Sequence, residues 1–144
     1  LDGDDYLIAK QVLSKISETY EKEKCDVLWT NYRADNKFAE GFSGYLPSNI
    51  SVYRYPWTTS HLKTFRPNLL KQINDKNFQD DNGNWFKRCY DQALYLPVLH
   101  VSNNKYHFLN EVMYHYTVDE NTFATQQQQY EIEQFIRNRK FVKE

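Results

Sequence analysis

Runs of β-forming residues alternate along this chain with runs of helical period, and few architectures accommodate that alternation. In residues 6–20, YLIAKQVLSKISETY, Ile8, Val12 and Ile16 step by four, while Leu13 and Tyr20 widen the stripe. This spacing predicts a helix. A charged EKEK turn follows. Residues 25–33, CDVLWTNYR, are rich in β-formers and predict a strand. Residues 34–50 carry glycines and Pro47 and predict a loop. Two further short strands are expected, SVYRY at 51–55 and SHLKTF at 60–65. Pro67 suits the first turn of a helix, PNLLKQI. Residues 74–85, NDKNFQDDNGNW, are polar and turn-rich. Residues 86–101, FKRCYDQALYLPVLHV, have a helical pattern that Pro97 is expected to kink or divide. NEVMYHYTV at 110–118 predicts another strand. A terminal helix, QQQQYEIEQFIRNRK, should turn Ile132, Phe135 and Ile136 inward. Strands separated by helices indicate an α/β domain, and 144 residues suggest one domain.

Composition narrows the function classes. Hydrophobic residues make up 40% and charged residues 26%, enough for an ordinary core. Aromatics stand out at 17%, with Tyr 12, Phe 9 and Trp 3. A net charge of −1 argues against a nucleic-acid partner, which would require clustered cations. Cys25 and Cys89 lack a metal-ligand spacing. They are expected as free buried thiols in a reducing compartment, with a single disulfide as the alternative. No apolar run approaches the roughly 20 residues of a membrane-spanning helix.

Acids crowd the start of the chain, where LDGDDYL places Asp2, Asp4 and Asp5 within five positions. Two readings are open from local chemistry. Asp4 and Asp5 could cap the first helix and complement its dipole, for about 0.3–1 kcal/mol each. Alternatively, Asp-x-Asp could offer two carboxylates to a hard cation such as Mg2+ or Mn2+, which prefers oxygen ligands and keeps several waters. Capping alone does not account for Asp2.

LDGDDYL, followed in order by WTNYR, YPWTTSHLKTFRPNLLKQI, GNWFKRCYDQALYLPVL and FLNEVMYHY, resembles the bacterial members of family 2 of the glycosyltransferases, which have the GT-A fold. SHLKTFR followed by YDQALYLPVL carries most of the specificity. The resemblance reaches to about residue 116 and more loosely to IEQFIRNRK. It implies a partial GT-A fold, a mixed sheet with flanking helices, with the chain corresponding to the acceptor-side half. In the family, a nucleotide-binding half on the order of one hundred residues precedes the Asp-x-Asp turn, and the crowded acids would then lie mid-domain.

The resemblance also implies chemistry, position by position. Asp2 and Asp4 would hold Mn2+ or Mg2+ and contact a nucleotide-diphospho-sugar, and Asp5 would keep a capping role. Arg66 follows the strand and could pair bidentately with a donor phosphate, with a plain surface ion pair as the equal alternative. Asp91, in YDQAL, would be the base that takes the acceptor hydroxyl's proton in an inverting transfer. Many relatives have Glu-Asp there, whereas this chain has Tyr90-Asp91. Trp57, His61 and Trp85 would lie on the side of a saccharide or lipid-linked saccharide acceptor. His115 is expected to pack among tyrosines in its strand, and His100 and His107 to lie at the surface. Such a protein would be cytoplasmic, either free or peripheral at the inner face of the membrane. Half of a catalytic sheet should expose an apolar edge and self-associate. The alternative of another class is a non-catalytic carbohydrate-binding or interaction module on the same scaffold.

Overall fold

The computed structural model describes residues 2–35, 43–118 and 126–143. The chain divides into two compact units. The first comprises Leu1–Pro47, Trp57–Arg66 and Lys105–Asp119, and the second comprises Ser48–Pro56, Pro67–Asn104 and Glu120–Glu144.

Unit 1 is a four-stranded mixed sheet with one helix. Its strands are β1 (Tyr6–Leu7), β2 (Val27–Ala34), β3 (Lys63–Phe65) and β4 (Tyr106–Tyr116), ordered β1-β4-β2-β3. The central pair β2 and β4 runs parallel from Val27↔Tyr106 to Ala34↔Tyr116, with irregular register around Asn31. β1 and β3 are antiparallel to their neighbours. Both edge strands are very short, at two and three residues. Short edges discourage strand addition.

Helix α1 spans Val12–Glu23 and turns Val12 and Ile16 to the sheet. There they meet Cys25, Leu28, Tyr32, Leu62, Met113 and Tyr114. The helix begins six residues later than its periodicity suggests, and Gln11 is its N-cap, with no side-chain capping bond. Tyr6 and Leu7 pair with His115 and Tyr114 instead. The apolar stripe cannot distinguish a helix start from a short strand that leads into one.

Unit 2 is helical. It contains α2 (Tyr90–Val101) and α3 (Gln126–Arg139), with 3-10 helices at Pro67–Gln72 and Asp75–Phe78. Helix α2 runs continuously through Pro97, although an interior proline removes a backbone hydrogen bond. It buries Gln92, Ala93 and every residue from Tyr95 to Leu99, and packing of that extent holds the helix together. SVYRY forms a turn, with the amides of Arg54 and Tyr55 donating to the Ser51 carbonyl, rather than the expected strand. Ile136 is the buried residue of α3. Cys25 and Cys89 are both buried and free. Among the described residues, no helix is long and apolar enough to cross a membrane.

Candidate functional site

The acid turn lies at one end of the sheet in unit 1, beside the carboxyl ends of the parallel strands β2 and β4. The Asp5 amide closes the turn on the Asp2 carbonyl at 3.2 Å. Asp2 and Asp4 are exposed, whereas Asp5 is buried. One Asp5 carboxylate oxygen accepts from the Tyr114 hydroxyl, and the other accepts from the Thr117 amide at 2.8 Å. The Thr117 hydroxyl donates to the Asp4 carbonyl at 2.7 Å. Asp5 is therefore not the helix cap expected from its position. It is an anchor that ties the turn to the end of β4, across more than one hundred positions of sequence. Burial, together with the bond to Asp5, pushes the Tyr114 hydroxyl's pKa well above that of an ordinary tyrosine.

A second cluster stands at the same end. Tyr6, His115 and Arg33 are register neighbours across β1, β4 and β2. Arg33 donates its Nε hydrogen to His115 Nδ1 at 3.2 Å, which places the ring proton on Nε2, and Nε2 donates to Asp35 at 2.7 Å. Tyr6 stacks on the imidazole with centroids 4.5 Å apart. Both ring nitrogens of His115 are thus engaged within the protein. Nothing local in the sequence marks this cluster or the Asp5 anchor, because His115 lies 80 or more positions from Arg33 and Asp35, and Asp5 lies more than one hundred from Tyr114 and Thr117.

Among the described residues, no three His, Cys, Asp or Glu side chains converge as a complete metal cage. The exposed pair Asp2 and Asp4 on one tight turn nevertheless matches the donor set of Mg2+ or Mn2+. Such ions are commonly held by one or two carboxylates, with water and phosphate oxygens completing the shell.

The remaining predicted residues are divided between the units. Arg66 lies at the opposite end of the sheet from the acid turn, next to the Val27↔Phe65 pair that begins β2. Its guanidinium faces Asp26 and Glu21 at 3.6 Å each, and it covers the Tyr20 ring at 5.1 Å. Eight strand residues separate the two ends, roughly 23 Å at about 3.3 Å per residue. One diphosphate cannot touch both Arg66 and the acid turn, and Arg66 makes surface ion pairs with Glu21 and Asp26, the alternative its sequence position also allowed. Arg66 instead braces the start of β2.

His61 is stacked between Tyr114 and Tyr116, with centroids at 4.7 and 5.0 Å, and Tyr32 meets it edge-on. Burial, reinforced by the Lys63 charge, lowers its pKa from 6.5 to about 3. It is a neutral packing element behind the acid turn. Trp57 is half-buried, with the Lys63 ammonium 5.8 Å above its ring. In unit 2, His100 is exposed and stacks on Phe141 at 4.4 Å. His107, in unit 1, is half-buried.

Asp91 and Trp85 belong to unit 2. Asp91 is half-buried in the first turn of α2, just after Cys89, whose backbone is left-handed with φ 54°. Burial, followed by the nearby Asp91 and Glu133 charges, pushes the Cys89 thiol up to about 12, so this thiol stays protonated and inert. Trp85 is 57% exposed. It borders an apolar cavity of about 480 Å³, lined also by Tyr90 and Leu94 of α2.

No protein-family model matches the chain, and no curated protein matches it in sequence. Solved structures share its fold. S. aureus TarS matches 82% of this chain at 22% identity with a TM-score of 0.53, over 21% of the TarS chain. S. aureus TarS 1–349 in complex with UDP-GlcNAc matches 94% of this chain at 19% identity with a TM-score of 0.54, over 40% of that chain. The present chain thus spans about a fifth and two-fifths of the lengths of these neighbours. The chain shares with these structures a mixed α/β fold, a mixed sheet with flanking helices.

Proposed function

We propose that this chain forms the acceptor-side part of a glycosyltransferase. The enzyme would move a sugar from a nucleotide-diphosphate donor to an acceptor hydroxyl, with inversion at the anomeric carbon and with Mn2+ or Mg2+. The observation that carries this reading is the anchored acid turn. Asp2 and Asp4 stay exposed at the carboxyl ends of two parallel strands, the usual ligand side of an open α/β sheet, because Asp5 takes the buried contacts. The fold is shared with a protein solved with UDP-GlcNAc, and this supports a nucleotide-sugar donor.

Each residue has a distinct task. Asp2 and Asp4 would hold the divalent ion through their carboxylates at the diphosphate end of the donor. Such an ion, when bound, would neutralise charge on the leaving nucleotide diphosphate. Asp5, Tyr114 and Thr117 fix the turn so that it does not have to be ordered when the donor arrives. Asp91 accepts the acceptor hydroxyl's proton as the new bond to the anomeric carbon forms and the bond to the diphosphate oxygen breaks.

Transfer by the full-length protein, assayed with a UDP-sugar and candidate saccharide acceptors, tests this. Turnover should disappear in excess chelator and return with Mn2+ or Mg2+. A rate indifferent to chelator would overturn the metal-assisted reading. A second reading, a carbohydrate-binding module without catalysis, is favoured by one feature, the exposed aromatic cavity of unit 2. Saccharide binding with no transfer under any metal condition would select it.

A further inference from the structure

We propose that the aromatic cavity of unit 2 is a saccharide-binding site in which a neutral pyranose lies with its C–H face on Trp85. As an acceptor subsite it rests on the role proposed for Asp91. As a binding site it stands without that role.

The cavity holds about 480 Å³ and is walled by Leu70, Phe78, Trp85, Phe86, Tyr90 and Leu94. Four of these are more than a third exposed: Trp85 at 57%, Tyr90 at 60%, Leu70 at 39% and Leu94 at 38%. Large apolar side chains gathered at one solvent-facing place mark a ligand or partner surface more often than chance exposure does.

Trp85 is also held in place. The Asp80 carboxylate accepts from the amides of Asn82 and Asn84 at 2.9 Å each. Gly83 supplies the left-handed residue, φ 79°, that closes this turn. The Phe86 amide donates to the Phe78 carbonyl at 3.1 Å, and Arg139 Nη1 donates to the Gln79 carbonyl at 2.6 Å. The indole lies nearly parallel to the Phe78 ring, 6.1 Å away and tilted by 13°. A pre-set indole plane suits stacking against a ring and lowers the entropy cost of binding.

Charge decides the class of ligand. Among the described residues of the lining, Asp75 is the one charged residue. It can accept a hydroxyl hydrogen bond, and it disfavours an anion. Sugars combine an apolar face with hydroxyl donors and fit this mixture. Position links the site to the chemistry, because Asp91 and Leu94 are three apart on α2, which sets their Cβ atoms about 5–6 Å from each other. The larger cavity of unit 2, about 600 Å³, makes a poorer site. Its Arg137 is already engaged by Glu133, Gln92 and the Tyr55 carbonyl.

The test titrates the full-length protein with cellobiose and chitobiose, with dodecyl phosphate as an apolar, anionic control, and separately with UDP and Mn2+. At least one disaccharide should bind. Trp85→Ala should weaken it about five- to tenfold, with Trp85→Phe recovering most of the loss and UDP binding unchanged. Asp75→Asn should weaken it by a smaller factor. Disaccharide affinity indifferent to Trp85→Ala, or no disaccharide binding at millimolar concentration, would overturn the site. Binding of dodecyl phosphate alone would overturn it in favour of a lipid chain, and Trp85-dependent dimerisation without sugar binding would do so in favour of a second copy. Disaccharide binding without metal-dependent UDP binding would support the site while removing the glycosyltransferase reading.

Discussion

The acid turn of unit 1 and the aromatic cavity of unit 2 both present exposed functional groups, but they are held by opposite means. The turn is fixed by hydrogen bonds to a buried carboxylate, with Asp5 joined to Tyr114 and Thr117. The cavity is fixed by a self-contained loop and by rings stacked on rings, Trp85 on Phe78. A buried polar anchor is costly to break, because each orphaned group loses its partner without regaining water. A surface ring can be removed with little effect on folding. Substitutions at the two places should therefore affect stability and function in different proportions.

The largest effect should come from Asp4→Asn in the full-length protein. Transfer should fall below detection while the melting temperature stays near wild type, because the side chain is exposed. Normal turnover with normal metal dependence would remove Asp4 from the site. Asp91→Asn comes next. Loss of a general base should lower kcat by about 10²- to 10⁴-fold and leave donor affinity alone. An acid that only complements the helix dipole would instead change stability by less than about 1 kcal/mol and leave turnover intact.

Asp5→Ala breaks the comparison from the other side. It orphans the Tyr114 hydroxyl and the Thr117 amide, and should cost about 1–3 kcal/mol in denaturant unfolding, whereas Trp85→Ala should stay within about 0.5 kcal/mol. Equal losses would mean that the turn is not anchored as described.

Much of the framework was legible in the sequence. Strands β2 and β4 and helices α1, α2 and α3 announce themselves through period and β-forming residues. The acid turn was legible as a pattern, and Trp85 as an aromatic next to turn residues. The anchoring was not legible. Asp5 sits where a helix cap belongs, and only the pairing of β1 with β4 reveals that its partners are Tyr114 and Thr117. Arg66 shows the reverse case, since an arginine after a strand suits a phosphate contact until the strand's direction places it at the far end of the sheet. Sequence patterns report what a segment prefers locally, whereas the site depends on which distant segments become neighbours.

His61 gives a smaller, pH-resolved test of the unit 1 packing. Its pKa is about 3 in the folded protein, against 6.5 when unperturbed. Between these values the unfolded chain binds more protons, so the contribution of His61 is complete above about pH 6.5 and is lost as the pH falls toward 3. His61→Phe, which keeps a ring between Tyr114 and Tyr116, should flatten the acid limb of the stability profile. Superimposable profiles would show that His61 is not shielded. Smallest of all, Arg66→Ala should cost less than about 1 kcal/mol, as exposed ion pairs do, and should leave UDP affinity unchanged.

The central claim is that Asp2 and Asp4 form a divalent-cation turn for a nucleotide diphosphate, and calorimetry of UDP binding to the full-length protein tests it most directly. The account predicts heat of binding with Mn2+ present, none in chelator, and none for Asp4→Asn with Mn2+ restored. UDP binding of equal strength with and without Mn2+, unchanged by Asp4→Asn, would contradict it.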